Sequence, residues 1–459
     1  MDYARSGSVF LAFNDHLCNI DKLNVLRDSV ALEKLSDRDK KHLWHPLTQH
    51  KIYPEMLAIA RAQESLLYDE EGKEYIDGIS SWYTCVYGHC NPYILERVMQ
   101  QMQRLDQVVF SGFTHGPAVR LSEELIKILP SNQQKMFFSD NGSTATEVGI
   151  KMALQYHFNK GQKRNVLLAF EEGFHGDTFG AMSVSGLSVY NGPFEDFFIE
   201  VERIPVPYAE NIESILTQLT ERLKNNNLAG FIYEPLVQGA AAMKMHNAEG
   251  LEKILALLKS HGVLLIADEV MTGFGKTGKH FASEYLNTQP DIMCLSKALT
   301  AGLIPMGLTT CTEDVYMAFY SDEVAKGLFH GHTYTANPLA CTAALAALEL
   351  LQTEEMQKNI QNIIQWHKAF DREIKNHPKV ANTRQLGVIF ALDLNVQMER
   401  YGNLRNRLFK HFMAQEVFLS PLCNTIYILA PYVTTNAPLD TIYDAIRSAQ
   451  HLAQFFSMF

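Results

Sequence analysis

Val263-Leu264-Leu265-Ile266-Ala267-Asp268-Glu269-Val270 is an apolar run without polar alternation that ends in two acids. Such a run reads as a strand buried on both faces, the pattern of a parallel sheet covered by helices. It delivers a carboxylate pair at its C-terminal end, where open α/β sheets bind ligands. A carboxylate there needs a partner, and a helix cap or an arginine ion pair would serve as well as a ligand.

Working outward, Val166 to Phe170, Ala229 to Tyr233, Ile292 to Leu295 and Met306 to Thr309 repeat the same apolar pattern, so all are expected as buried parallel strands. Between two of them, Leu251, Ile254, Leu255 and Leu258 follow the i, i+3, i+4, i+7 rule of one helix face. The alternation predicts an α/β fold with a mostly parallel central sheet over residues 76–345. After a long helix from Pro338 the pattern changes: a strand over Val388 to Leu394, a helix over Leu404 to Gln415, two short strands separated by Asn424, and a helix from Pro438. Residues 346–459 are therefore read as a smaller α/β domain, residues 35–75 as the N-terminal segment of that small domain, and residues 1–34 as an extension. Ser36, with Asp39 three positions on, reads as a capped helix start before Trp44-His45-Pro46.

The chain has 459 residues, 47% hydrophobic and 20% charged, with formal charge -11, enough to bury a large core. The acidic balance argues against a nucleic-acid or anionic-membrane partner, which would need a basic face. Seven scattered cysteines without paired spacing suggest neither a disulfide framework nor structural zinc, and point to a reducing, cytoplasmic setting. The apolar run Val9 to Phe13 is too short for a secretory leader, and no later run is long enough for a membrane span.

Lys297 follows the strand Ile292 to Leu295, which places an amine at the same sheet edge as Asp268. Partial burial there would lower its pKa and free it for Schiff-base chemistry with an aldehyde; otherwise it is a surface lysine after a strand. Asp140-Asn141-Gly142-Ser143 follows a third strand and precedes a helix carrying Ala145, Val148, Met152 and Tyr156 on one face. Gly142 and Ser143 then offer free N–H groups and a hydroxyl to a phosphate, unless Asn141 or Ser143 merely caps the helix. Phe174, before His175, could cover a flat ligand or simply fill core.

Gly273-Phe274-Gly275-Lys276-Thr277-Gly278 matches a dinucleotide fingerprint and partly a P-loop. The P-loop reading needs glycine at Val270, and the dinucleotide reading needs an acid where Ser296 and Lys297 stand. The glycines are read instead as a turn beside a cofactor. His330-Gly331-His332 lacks an acid or cysteine pair at ligand spacing, so no metal is expected.

With these residues in place, the chain from Leu35 onward resembles the class III aminotransferases of pyridoxal 5'-phosphate (PLP) fold type I. Four ordered blocks carry the likeness: residues 140–143, Phe-His-Gly-Asp-Thr at 174–178, Asp-Glu-Val-Met-Thr-Gly-Phe-Gly at 268–275, and Lys297. The resemblance implies a homodimer with shared active sites. It puts Gly142 and Ser143 on the PLP phosphate, Val270 and Phe174 on either side of the ring, and His175 among the cofactor contacts. His332 and Thr333 match the segment that reaches the other subunit's phosphate. Asp268 would keep the pyridine nitrogen protonated, and Lys297 would carry PLP as a Schiff base and then move the Cα proton.

Within the class, Trp44-His45-Pro46, Ser80-Ser81-Trp82-Tyr83 and residues 175–184 look like the branch that aminates 8-amino-7-oxononanoate in biotin synthesis with S-adenosylmethionine as donor. Trp82, Tyr83, Phe174, Gly331 and Ser420 would then line the substrate pocket. Four positions depart from that branch. Leu47 and Phe174 stand where tyrosines are usual, Lys276 replaces an arginine, and Ser420 replaces the arginine that grips the substrate carboxylate, a bidentate contact serine cannot make. A lysine-dependent version of the step, an ω-amine:pyruvate transaminase and a PLP-fold protein without catalysis are the alternatives.

Overall fold

The apolar runs assemble into one seven-stranded sheet: β1 (Gln133–Ser139), β2 (Val166–Phe170), β3 (Val201–Ile204), β4 (Leu228–Tyr233), β5 (Leu264–Asp268), β6 (Ile292–Leu295) and β7 (Gly307–Thr312). In this computed structural model, which describes residues 34–53, 56–188, 191–396 and 403–456, the spatial order is β1-β7-β6-β5-β4-β2-β3. Residues 1–33, most of the expected extension, lie outside the described residues.

Strands β2, β4, β5 and β6 are buried at every position, which explains their lack of alternation. Strands β2 to β6 run parallel, with Ala267 beside Tyr233 and Asp268 beside Cys294. The strand expected at Met306 to Thr309 is a correction: β7 runs antiparallel to both β6 and β1. The short link between Leu295 and Gly307 leaves no room for the helical crossover that a parallel return requires.

Helix α1 (Gly142–Asn159) packs against the sheet, and α2 (Ala248–Ser260) forms the β4 to β5 crossover. Asn247 caps α2 by accepting from Gly250 N–H at 2.7 Å. Leu251, Ile254, Leu255 and Leu258 are all completely buried, each contributing about 1.5–3 kcal/mol as an upper figure. An aspartate at Leu255 would leave a charge in that seam and break the crossover.

Helix α3 (Pro338–Leu351) starts on an Asn337 cap with Pro338 at its first turn, followed by α4 (Glu354–Ile374) on a Thr353 cap. Next come β8 (Val380–Leu386), β9 (Ile389–Leu394) and β10 (Thr425–Ile428), an antiparallel sheet in that order. The helix Leu404–Ala414 and the terminal helix Asn436–Phe456 match expectation. The two short strands flanking Asn424 do not pair with each other. Val417–Phe418 joins Glu74–Asp77 in parallel, while β10 joins β9.

The chain divides into two units, the described residues up to Arg61 with Tyr68–Lys73, and Ala62–Leu67 with everything from Glu74 onward. In the first, the helix Leu35–His42 has Lys34 at its cap position with no side-chain cap bond. The expected Ser36–Asp39 cap is absent because the helix already begins at Leu35, which puts Ser36 inside it, and the Asp39 carboxylate lies 2.8 Å from His45 Nε2. Leu47 is exposed with φ 52°. All remaining site residues belong to the second unit, where among the described residues no helix is long and apolar enough to cross a membrane.

Candidate active site

The acid pair at the C-terminal end of β5, Asp268 as its last residue and Glu269 just beyond, splits between two jobs, because successive residues of an extended chain face opposite ways. Glu269 is the structural one. Its carboxylate, fully buried, accepts from Thr272 Oγ1, Ala282 N, Ser283 N and Ser283 Oγ at 2.5–3.0 Å. Asp268 turns to the other side, where His175 Nδ1 lies 2.7 Å from Oδ2 and Val270 N–H donates to Oδ1 at 3.0 Å. A carboxylate so deeply buried is costly unless it is hydrogen-bonded, and here the imidazole on one oxygen and the backbone N–H on the other hold it in one orientation.

Lys297 follows the end of β6, one strand over. Its φ of 50° is left-handed, a conformation that costs a residue with a side chain about 1–2 kcal/mol. Burial lowers the amine's pKa below an ordinary lysine, with the Asp268 and Glu234 carboxylates pulling partly the other way. The amine lies 4.9 Å from the centre of the Tyr83 ring. Tyr83 is 6% exposed and donates its hydroxyl to Tyr427 Oη at 2.9 Å. Burial, more than any neighbour, pushes Tyr427 up to about 12, and a hydrogen bond with Ser420 acts against the rise.

At the head of α1, Asn141 and Thr144 form a reciprocal capping box, with Thr144 N–H on Asn141 Oδ1 at 2.9 Å and Asn141 N–H on Thr144 Oγ1 at 3.0 Å. Capping is therefore real but falls to Asn141. Gly142 and Ser143 keep their N–H groups, which have no intrahelical acceptor at the first two positions of a helix. The Ser143 hydroxyl accepts from Thr178 N–H at 3.0 Å and lies 2.8 Å from Thr178 Oγ1. Space is close here. A methyl on Gly142 would meet Val270 Cγ1 at 2.8 Å, and one on Gly176, φ 129°, would meet Ser143 Oγ at 2.2 Å.

The structure thus brings Gly142, Ser143, His175, Asp268, Val270, Lys297 and Tyr83 to the carboxyl edge of one sheet. Phe174 and Trp82 are 42% and 50% exposed. His332 pairs through Nδ1 with Asp140 Oδ2 at 3.2 Å, while its Nε2 lies 2.9 Å from His330 Nε2. Thr333 and Gly331 are exposed. Lys276 is completely buried and donates to the Gly273 carbonyl at 3.0 Å. The glycine turn is tied into the core, since Tyr432 donates to the Phe274 carbonyl at 2.8 Å.

Sequence reasoning missed Glu234. It directly follows β4, is 4% exposed, and accepts Phe174 N–H and Gly239 N–H, each at 3.0 Å. Burial first, with Asp268 adding to it and His175 opposing, raises its pKa to about 7. The signal that singled out Asp268, a buried strand ending in an acid, was present here as well.

A helix N-terminus with a hydroxyl, a fixed buried carboxylate and a lysine of depressed pKa are the donor set that a phosphate-bearing pyridine aldehyde requires. The residues fit that group. Comparison with known proteins agrees: residues 48–449 match the family model Aminotransferase class-III. The chain belongs to the class III aminotransferases. It is 43% identical over 414 residues, 88% of the chain and 97% of the relative, to the adenosylmethionine-8-amino-7-oxononanoate aminotransferase of Synechococcus elongatus. It is 34% identical to the enzyme of the same name from Staphylococcus aureus, covering 91% of the chain and 98% of that relative. The crystal structure of the enzyme so named from Methanocaldococcus jannaschii superposes with TM-score 0.85 at 31% identity, over 90% of this chain and 98% of that one. An ω-transaminase of Pseudomonas jessenii in complex with PMP gives TM-score 0.86 at 24% identity, covering 93% and 99%, and shares the fold.

Proposed function

We propose that this class III aminotransferase carries PLP on Lys297 and transfers an amino group from S-adenosylmethionine to 8-amino-7-oxononanoate, forming 7,8-diaminononanoate in biotin synthesis. The observation that carries the reading is the pairing of an amine of lowered pKa, Lys297, with a carboxylate, Asp268, locked by His175 and Val270. The substrate follows from the relatives that share 33–43% of their residues with this chain and bear that name.

PLP, when bound, supplies an electron-withdrawing ring that stabilises negative charge at the Cα of an amine. Asp268 would present its carboxylate to the ring nitrogen and favour a proton there. Lys297 would hold the cofactor's aldehyde carbon and, as a free amine, would move a proton to and from the Cα of the bound amine as general base and acid, a role its burial-lowered pKa favours. Gly142 and Ser143 would hold the phosphate, Val270 and Phe174 would flank the ring, and Trp82 with Tyr83 would line the pocket for the aliphatic chain. His332 and Thr333 serve the neighbouring subunit's phosphate in a homodimer, and donor and acceptor react in turn at one site, giving ping-pong kinetics.

A second reading rests on Ser420, which bonds Tyr427 and offers no cation to a carboxylate. It favours a different donor or an ω-amine:pyruvate transaminase. One experiment separates them. The PLP-loaded protein is mixed in single turnover with S-adenosylmethionine, lysine or alanine, and the cofactor's absorption band is followed. Bleaching by S-adenosylmethionine and recovery on adding 8-amino-7-oxononanoate is the expected result; response to alanine alone overturns the biotin assignment.

A further inference from the structure

Ser80, Ser81, Trp82 and Tyr83 have φ of 49°, 45°, 66° and 71°, four consecutive residues in a region that residues other than glycine visit singly. Nothing in Ser-Ser-Trp-Tyr favours that geometry, so the surroundings impose it. The ties converge on Asp77, which is completely buried. Its Oδ1 accepts Ile79 N–H at 3.2 Å, and its Oδ2 accepts both the Ser81 hydroxyl and His89 Nε2 at 2.8 Å. Ser80 donates to the Leu429 carbonyl at 2.7 Å, and Thr84 to the Ser81 carbonyl at 2.9 Å.

His89 is anchored in turn by two backbone bonds with Glu64, at 2.7 and 3.0 Å. Burial alone would lower its pKa, but the bonds to Asp77 and Cys85 override that and raise it to about 10, so the contact with Asp77 is charge-assisted and correspondingly strong. The division of labour along the turn is telling. The two serines take the ties to Asp77 and Leu429, while the Tyr83 ring lies beside Lys297 and Trp82 is half-exposed. Relaxation of the turn to ordinary φ values would redirect both aromatic side chains.

We propose that the Asp77–His89 pair is a clamp that holds this left-handed turn and thereby sets the aromatic wall of the substrate pocket, making both residues positioning residues. The substrate arm of the argument rests on the transaminase reading above; the conformational arm does not. Hydrogen exchange of the PLP-loaded protein reads the turn directly, because Thr84 and Cys85 N–H both donate to the Ser80 carbonyl.

In His89→Ala, exchange over residues 80–85 should quicken by about tenfold or more while other segments and the cofactor's absorption stay unchanged. KM for the keto acceptor should rise roughly tenfold, with kcat changing less than about threefold. His89→Gln, which can still donate to Asp77 Oδ2, should restore both. In a double-mutant cycle, adding His89→Ala to Trp82→Ala should cost less than it does in the native background, since part of the clamp's effect runs through Trp82. Ser81→Ala, which cuts one tie at a half-buried position, gives the same signature at smaller size and decides the matter if the histidine variant does not fold. Unchanged exchange, unchanged KM or additive losses in the cycle would each overturn the clamp. Inability of the native protein to use 8-amino-7-oxononanoate sinks the functional reading alone and leaves the exchange result to decide.

Discussion

Glu234→Gln tests the electrostatics of the site most sharply. The Glu234 carboxyl is 4% exposed and receives only two backbone N–H groups, from Phe174 and Gly239, so burial dominates and its pKa rises from 4.5 to about 7. Between those values the folded protein binds a proton that the unfolded chain has released. The sign is therefore negative: this group makes stability fall as pH rises from 4.5 to about 7, and adds no further slope above. At about 1.4 kcal/mol for each pH unit, the whole effect is on the order of 3 kcal/mol. Glutamine keeps the shape and removes the proton. Its amide sets one donor against a backbone N–H, a cost of about 1–3 kcal/mol that does not depend on pH. The assay is urea unfolding of both proteins from pH 4.5 to 8.5 at one saturating PLP concentration, so that cofactor linkage and all other titrating groups cancel in the difference. Native stability minus variant stability should fall by roughly 3 kcal/mol up to pH 7 and then level. A difference that stays flat within about 0.5 kcal/mol across the range would refute the assignment of a raised pKa to this carboxyl.

Lys297→Ala should abolish turnover while circular dichroism and unfolding midpoint stay close to native; turnover retained in that variant would remove lysine from the mechanism. Asp268→Asn should still bind PLP but lose about 10- to 1,000-fold in kcat, the worth of one to three pH units of proton affinity at the ring nitrogen, and near-native kcat would mean the nitrogen has another partner. Lys276 is completely buried, and burial, with the Lys297 charge next, holds its pKa well below an ordinary lysine. The unfolded chain then binds the extra proton below its own value near 10.4, so this group makes stability rise with pH. Lys276→Met should flatten that rise in urea unfolding between pH 7 and 9, and an unchanged slope would count against the depressed value.

Much of this protein was legible in its sequence because local signals and tertiary roles coincide. Strands β2, β4, β5 and β6 lack alternation since helices cover both faces, and α2 shows its apolar stripe because only one side packs. Asp268 and Lys297 stood out as polar residues closing buried strands, places where a charge is too costly to keep without a task. The capping box at Asn141 and Thr144 is likewise a matter of neighbours in the chain.

Other features depended on contacts that the sequence does not order. The antiparallel direction of β7 reflects its loop length and its two neighbours rather than its residues. Glu234 carried the same local mark as Asp268, yet its elevated pKa arises from burial and from Asp268, a residue 34 positions away. The partition of Asp268 and Glu269 between site and scaffold required knowing which face of β5 meets His175. Serine, serine, tryptophan and tyrosine carry no preference for left-handed backbone. Only the tertiary structure, by placing Asp77, His89 and Leu429 around them, makes that conformation the one in which the serine hydroxyls are bonded and the Tyr83 ring lies beside the lysine.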